Sequence, residues 1–245
     1  MSYIGTTEIG KMFLGSVEID KAYLGNDLVF SNDGATPVNP GDISNYVQDG
    51  LVLHLDGIDK GATSNRWSSL VGSTYFTLTS HSTSESNAVL MDGSGALSAT
   101  NPVKTTMTAG TIEVCCNVFS TGSCAIYYGP SNSLAFVIGG AGYTFGMASS
   151  SNQWNVTKAS LFTASANNDR FVFNGVATGT KASNSWTANG SNVYTIGGRA
   201  SGTNRYYANA RIYSIRIYSR KLTEAEMLNN QKVDNARFNL GLNVQ

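Results

Sequence analysis

Between Leu51 and Tyr218 the chain keeps returning to short runs of Val, Ile, Tyr, Phe, Leu and Thr, and Gly, Ser or Asn soon cuts each run off. That rhythm constrains the fold more than any single motif does. Strands so short cannot bury an apolar face alone, and antiparallel strands joined by tight turns solve this by stacking two sheets. The expected strands are Leu51–Leu55, Tyr75–Leu78, Ala88–Met91, Thr111–Val118, Cys124–Tyr128, Leu134–Ile138, Thr144–Ala148, Ser160–Thr163, Asp169–Phe173, Asn192–Gly197 and Ala210–Tyr218. They give an all-β class, a two-sheet antiparallel sandwich. One helix stands out at Thr223–Gln231. Thr223 with Glu226 forms a capping box, and Ala225, Met227 and Leu228 supply an apolar side. Laid across a sheet edge, this helix would blunt it.

Ahead of the sandwich the chain repeats itself. Ile4-Gly5, Leu14-Gly15 and Leu24-Gly25 fall ten residues apart, as do Glu8 and Glu18, and Phe13 and Tyr23. Gly opens each two-residue loop, the chemistry of a type II′ hairpin turn. Residues 1–30 therefore read as a three-stranded meander. Ile9, Phe13, Ile19, Tyr23 and Val29 are apolar side chains that so small a sheet cannot bury, so something else must cover them: the next domain, a second copy or a larger assembly. Glu18 and Asp20 share a strand face here and read as a solubilising surface. Residues 31–49 hold two of the four prolines without periodicity and read as a linker, which leaves 50–245 as the main domain.

Charge is balanced, 16 basic against 16 acidic residues with two histidines, and no basic stripe exists to track phosphates, so nucleic acid is not an expected partner. No run approaches the ~20 apolar residues of a membrane span, and the N-terminus lacks the basic and apolar regions of a signal peptide. Cys115, Cys116 and Cys124 make a poor disulfide framework with no zinc spacing. The first two are expected on opposite faces of a strand, in a chain made in a reducing cytosol.

Several segments resemble a known family. In order, they are "GLVLHLDGID" at Gly50–Asp59, "WSSLVG" at Trp67–Gly72, "VLMDGSGAL" at Val89–Leu97, "TIEVCCNV" at Thr111–Val118, "RFVFNGV" at Arg170–Val176, "VYTIGGRA" at Val193–Ala200 and "ARIYSIRIYSRKLTEAEMLNNQKVDNARF" at Ala210–Phe238. Together they resemble a concanavalin A-like jelly roll of the laminin-G type, over roughly residues 50–238. The resemblance implies binding, often of carbohydrate and sometimes with Ca²⁺, on a fold that also hosts glycoside hydrolases. It makes Trp67 a core residue. Asp56 and Asp92, each before a Gly at a strand end, are the weak Ca²⁺ candidates; the alternative is a turn aspartate bonding its own backbone.

Retaining hydrolases on such a fold carry an E-x-D-x-E type run, because two carboxyl groups must stand about 5–5.5 Å apart. No such run occurs here. Glu113 has no acidic partner two or four residues away and reads as an exposed strand residue, with a lone functional acid as the alternative. His54 reads as facing the sheet surface or a polar neighbour. No nucleophile elbow, phosphate loop or dinucleotide fingerprint appears. The expectation is a non-enzyme with no required cofactor.

Sugar recognition needs aromatic faces beside amides and hydroxyls. Trp154 in "SSSNQWNVT", Trp186 in "SNSWTANGSN", and Arg205, Tyr206 and Tyr207 in "SGTNRYYAN" meet that need. The alternative is that each ring packs under its own loop. The opening repeat resembles the short repeats that begin many bacteriophage tail, fibre and head-decoration proteins. The resemblance implies a virion protein made in the host cytoplasm, docked to other virion proteins through residues 1–30, homo-oligomeric with a trimer favoured, and binding host or mucosal glycans. A purely structural decoration, a bacterial carbohydrate-binding module and a cryptic glycoside hydrolase are the alternatives.

Overall fold

The computed structural model describes residues 41–61, 65–100, 109–120, 124–129, 135–138, 143–145, 154–156, 159–167, 169–178, 193–201 and 204–244, together with six short strands between residues 2 and 31. Those six are β1 (Ser2–Ile4), β2 (Thr7–Ile9), β3 (Met12–Leu14), β4 (Val17–Ile19), β5 (Lys21–Leu24) and β6 (Asp27–Ser31). They pair as three separate hairpins. Ile4 faces Thr7, Leu14 faces Val17 and Leu24 faces Asp27, so each hairpin closes on a two-residue loop where the repeat places one. The pairings show the hairpins expected of the meander, as far as the described residues go. Residues 10, 11 and 20, which separate these hairpins, lie outside the described residues. Ile9, Phe13, Ile19, Tyr23 and Val29 all lie on these strands.

The sandwich follows as β7 (Leu51–Asp56), β8 (Arg66–Ser68), β9 (Tyr75–Thr77), β10 (Ser82–Ser84), β11 (Val89–Asp92), β12 (Leu97–Thr100), β13 (Thr111–Val118) and β14 (Cys124–Tyr128). It continues as β15 (Ala135–Ile138), β16 (Tyr143–Phe145), β17 (Trp154–Val156), β18 (Leu161–Asn167), β19 (Phe171–Phe173) and β20 (Val176–Thr178). It closes with β21 (Val193–Ile196), β22 (Gly198–Ser201), β23 (Asn204–Tyr207), β24 (Asn209–Tyr218) and the helix α1 (Glu224–Arg237). One sheet runs β10-β11-β24-β13-β18-β19-β20, with β7 also paired to β24. The other runs β12-β21-β14-β15. All the pairings are antiparallel, and the apolar core lies between the sheets, built around Trp67, Phe76, Ile126, Phe136, Phe162 and Ile196. Asn174 and Gly175 sit at φ 46° and 80° between Phe173 and Val176, the two positive angles a type I′ turn requires, as the Asn-Gly pair implied.

β24 is the longest strand and sits centrally, as its alternation suggests. The register between Cys115 and Cys116 of β13 shifts against it, Cys115 facing Ser214 and Cys116 facing Ile212. Tyr213 is the extra residue of a β-bulge. It explains a pattern that simple alternation cannot. Ala210 and Ile212 point into the core before the bulge, and Ile215 and Ile217 do so after it. Ser214, Arg216 and Tyr218 are thereby turned to the outer face. Cys116 faces the main core while Cys115 packs with Tyr213 and Phe238 outside it, the opposite orientations expected of neighbours on a strand.

α1 lies on that outer face, not across a sheet edge, and this corrects the expected placement. It also extends to Arg237, beyond the expected Gln231. Its inward positions Asn230, Gln231 and Asp234 are polar and fully buried, so no apolar stripe announces the second half of the helix. The capping box at Thr223 and Glu226 is present. Arg220 and the Thr223 amide and hydroxyl hold the Glu226 carboxyl down to about 2. Residues 41–49 of the expected linker dock against this helix: Val47 donates its amide to Asn230 Oδ1 at 2.9 Å, and Asn229 donates to the Asn45 carbonyl at 2.9 Å. The main domain therefore includes them.

Candidate functional site

A cluster of buried charged side chains lies beneath α1. Straight across the outer sheet face, His54 of β7, Arg216 of β24, Glu113 of β13 and Ser165 of β18 stand directly opposite one another. Arg216 donates from Nε to Glu113 at 2.9 Å and from both Nη atoms to Asp234 of the helix at 2.7 Å. Tyr46, Thr163 and Ser214 also donate to Asp234, while Ser165 and Asn230 donate to Glu113. Glu113 is 1% exposed, so its expected exposure is corrected; cross-strand pairing with a buried arginine draws it inside. Burial pushes its carboxyl above the ordinary value, against the pull of Arg216. His54 is buried edge-on to Tyr46 at 5.1 Å, and burial pushes it down to about 3, leaving a neutral ring. Arg216, Asp234 and Glu113 are closed to solvent, so this network joins helix to sheet and touches no ligand.

The two calcium candidates are both occupied by protein donors. Asp56 is fully buried, with Arg237 donating to both carboxylate oxygens at 2.8 and 3.1 Å and the amides of Ile58 and Asp59 donating to one of them. Burial works against its ionisation, but these hydrogen bonds hold its pKa below the ordinary value. Asp92 is exposed and accepts from the amide and hydroxyl of Ser94, which lower its pKa. That is the turn-aspartate geometry. Among the described residues no group of three or more His, Cys, Asp or Glu sits together as a ligand set.

The described aromatic candidates lie on two separate two-stranded hairpins that adjoin the second sheet. Trp154 begins β17, paired to Phe145 of β16, and this hairpin abuts β15. Arg205, Tyr206 and Tyr207 are on β23, paired to β22, and this hairpin lies against β14. Since β14 and β15 pair directly, topology brings two of the three predicted clusters to the same pair of strands. Tyr206 and Tyr207 are both half-buried, and alternation along the strand sends them to opposite faces. Tyr207 lies across from Gly198 with its ring over that glycine, the space a side chain there would need. Trp186 is outside the described residues.

Sequence reading missed a cleft at the end of the other sheet, with charged side chains on its rim and a mostly apolar open surface. Thr111 opens β13 facing Asn167 at the end of β18 and Tyr218 at the end of β24, so the segments leaving those two strands meet over it. The Thr111 hydroxyl donates to the Arg220 carbonyl at 3.1 Å and accepts the Leu222 amide at 2.8 Å. Asn167 accepts the amides of Asp169 and Arg170 and donates to the Leu222 carbonyl at 3.0 Å, tying the two walls together. Between them is a cleft of about 320 Å³. Its rim holds two ion pairs, Arg170–Glu224 at 2.5 Å and Lys221–Asp169 at 3.3 Å. Each pair joins residues about fifty positions apart in the chain, so no local motif exists to find.

Comparison with known proteins places this geometry. The model of the family described as the concanavalin A-like lectin/glucanases superfamily matches residues 71–227. Trypanosoma rangeli sialidase in complex with sialic acid superposes with a TM-score of 0.54 at 11% identity, over 76% of this chain and 33% of that one. A mutant of the same sialidase displaying trans-sialidase activity gives 0.54 at 12% identity, over 77% and 33%. The binding domain of botulinum neurotoxin DC in complex with SialylT gives 0.54 at 14% identity, over 75% and 52%. At these identities the likeness is one of fold. The chain spans about a third of the length of the sialidases it matches. No curated protein sequence matches it. The expectation of a non-enzyme is overturned by these neighbours, since several of the solved structures sharing the fold are sialidases. A missing E-x-D-x-E run excludes one catalytic arrangement and not catalysis.

Proposed function

This chain belongs to the concanavalin A-like lectin/glucanases superfamily, and from that membership we propose that its sandwich binds carbohydrate, with sialylated glycans as the first class to test. The observation that carries the proposal is the convergence of the Trp154 hairpin and the Arg205–Tyr207 hairpin on strands β14 and β15. On this reading Tyr206 and Trp154 stack on sugar faces, and Arg205 forks to hydroxyls or to a sialic acid carboxylate. The sialic acid and SialylT complexes of the structural neighbours supply the choice of ligand.

The three hairpins of residues 2–31 are the attachment element. Their repeat supports display on a bacteriophage particle as part of a fibre or decoration, docked through Ile9, Phe13, Ile19, Tyr23 and Val29 or trimerised by them. Joining several weak sites on one assembly raises apparent affinity by ~10²–10⁴ without any new contact.

On a glycan array, the full chain is expected to retain sialylated glycans, and Trp154→Ala or Tyr206→Ala to weaken retention about tenfold, the loss of one stacked ring. An oligomeric preparation that retains no glycan overturns the proposal. Free sugar released from the retained glycans reports whether binding is followed by cleavage. Separately, deletion of residues 1–30 is expected to lower the particle mass measured by light scattering to that of a single chain. An unchanged mass rules out the ribbon as the assembly element.

A further inference from the structure

We propose that the cleft between Asp169–Arg170 and the 221–224 segment is a second saccharide site, and that it takes an uncharged sugar ring with adjacent hydroxyls. It is at the end of the β13–β18–β24 sheet, so it does not depend on the reading of the β14–β15 hairpins. A volume of about 320 Å³ falls at the small end of the ~300–1,000 Å³ range of ligand cavities. That suits a single sugar unit.

The lining decides the chemistry of the ligand. Two cations, Arg170 and Lys221, alternate with two carboxylates, Asp169 and Glu224, and all four side chains are 37–43% exposed. The set is neutral overall. A carboxylated sugar entering it meets two carboxylates and has to displace one from its cation. A hydroxyl both donates and accepts, so a neighbouring pair of hydroxyls can bridge cation and carboxylate on each side without separating net charge. Exposed ion pairs of long side chains contribute little to stability, and opening them for a ligand is correspondingly easy. The backbone beneath is fixed. Buried Asn167 and Thr111 pin both walls, so the charged groups stand on a preorganised base.

The test uses the full chain carrying Trp154→Ala, Arg205→Ala and Tyr206→Ala together, to remove the whole of the other proposed site, and ligand-observed saturation-transfer NMR. The probes are the neutral methyl pyranosides of glucose, galactose and mannose, set against sialic acid and glucuronic acid at equal concentration. Transfer is expected to at least one neutral pyranoside and to neither acid. Asp169→Asn and Glu224→Gln, whose exposed positions leave the melting temperature unchanged, are each expected to weaken binding about tenfold, the loss of a charge-assisted hydrogen bond. Three results overturn the proposal: no transfer to any neutral probe, equal transfer to the acids, or neutral transfer that both variants leave intact. Glycan retention on the array with no cleft signal sinks only this inference. A cleft signal with a silent array sinks only the reading of the β14–β15 face.

Discussion

Arg216→Met is expected to remove a large share of the sandwich's stability and to shift its urea midpoint sharply down. Arg216 is fully buried and serves two carboxylates, Glu113 on the neighbouring strand and Asp234 on the helix. Burial opposes its charge, but Asp234 and Glu113 outweigh that and keep the guanidinium ionised. Removing it strands two buried acids with only hydroxyls and amides to solvate them. Breaking a buried pair costs ~3–5 kcal/mol, against a total stability of ~5–15 kcal/mol for a domain. Urea denaturation followed by circular dichroism measures the loss. Two further variants test the cause. Glu113→Gln should cost far less, because burial already favours the uncharged form of that carboxyl and the amide leaves Arg216 balanced against Asp234 alone. Arg216→Met combined with Glu113→Leu and Asp234→Leu should recover most of the loss, since an apolar replacement of a whole buried ionic cluster is often neutral. If the single variant unfolds at the wild-type midpoint, the network does not anchor the helix.

This network also marks where the sequence stops being legible. Local rules were sufficient for the Asn174-Gly175 turn, the opposed faces of Cys115 and Cys116, and the Thr223–Glu226 cap. Each depends on neighbours in the chain. Glu113 could not be read this way, because its partners are on a strand and a helix about a hundred residues on. The Tyr213 bulge defeated strict alternation on β24 for a related reason: a register shift belongs to a pair of strands, not to one. Helix α1 was cut short because its buried face is an amide and a carboxylate surface, which binary patterning counts as exposed. The cleft was invisible because Arg170 meets Glu224 only after β18, β13 and β24 have paired. Of the sugar-binding candidates, Trp154 and Tyr206 were chosen for composition alone, and the hairpin topology that brings their segments to one pair of strands had no signal in either stretch.

Fold and function also separate here. The same sandwich occurs in sialidases and in a toxin's binding domain, so the architecture is compatible with cleavage and with binding alike. What distinguishes them is which rim side chains reach a ligand, and the β14–β15 hairpins and the Arg170–Lys221 cleft are the places proposed for that in this chain.

Trp67→Ala is expected to cost ~3–5 kcal/mol, the usual penalty for emptying a buried aromatic site, and its main interest is in which transition it moves. Trp67 is fully buried in the main core. Its indole N–H donates to the Asp56 carbonyl at 2.8 Å, at the strand end whose carboxylate holds Arg237 of the helix. Next to it, Gly57 packs so closely on the backbone of Asn87 and Ala88 that a side chain there would clash. Trp67 therefore supports a corner where β7, the 87–88 turn and α1 meet. All of β7, and the 41–50 segment before it, precede residue 71, where the family match begins. If residues 41–70 are integral to the sandwich, Trp67→Ala lowers the midpoint of a single transition, and tryptophan fluorescence and circular dichroism stay coincident. Trp67→Phe, which keeps most of the apolar volume and loses the hydrogen bond, should cost ~1–3 kcal/mol on the same curve. Non-coincident probes, or an unchanged main transition, would mean that the folding unit starts at the family boundary and that the strand carrying His54 and Asp56 is only an accessory to it.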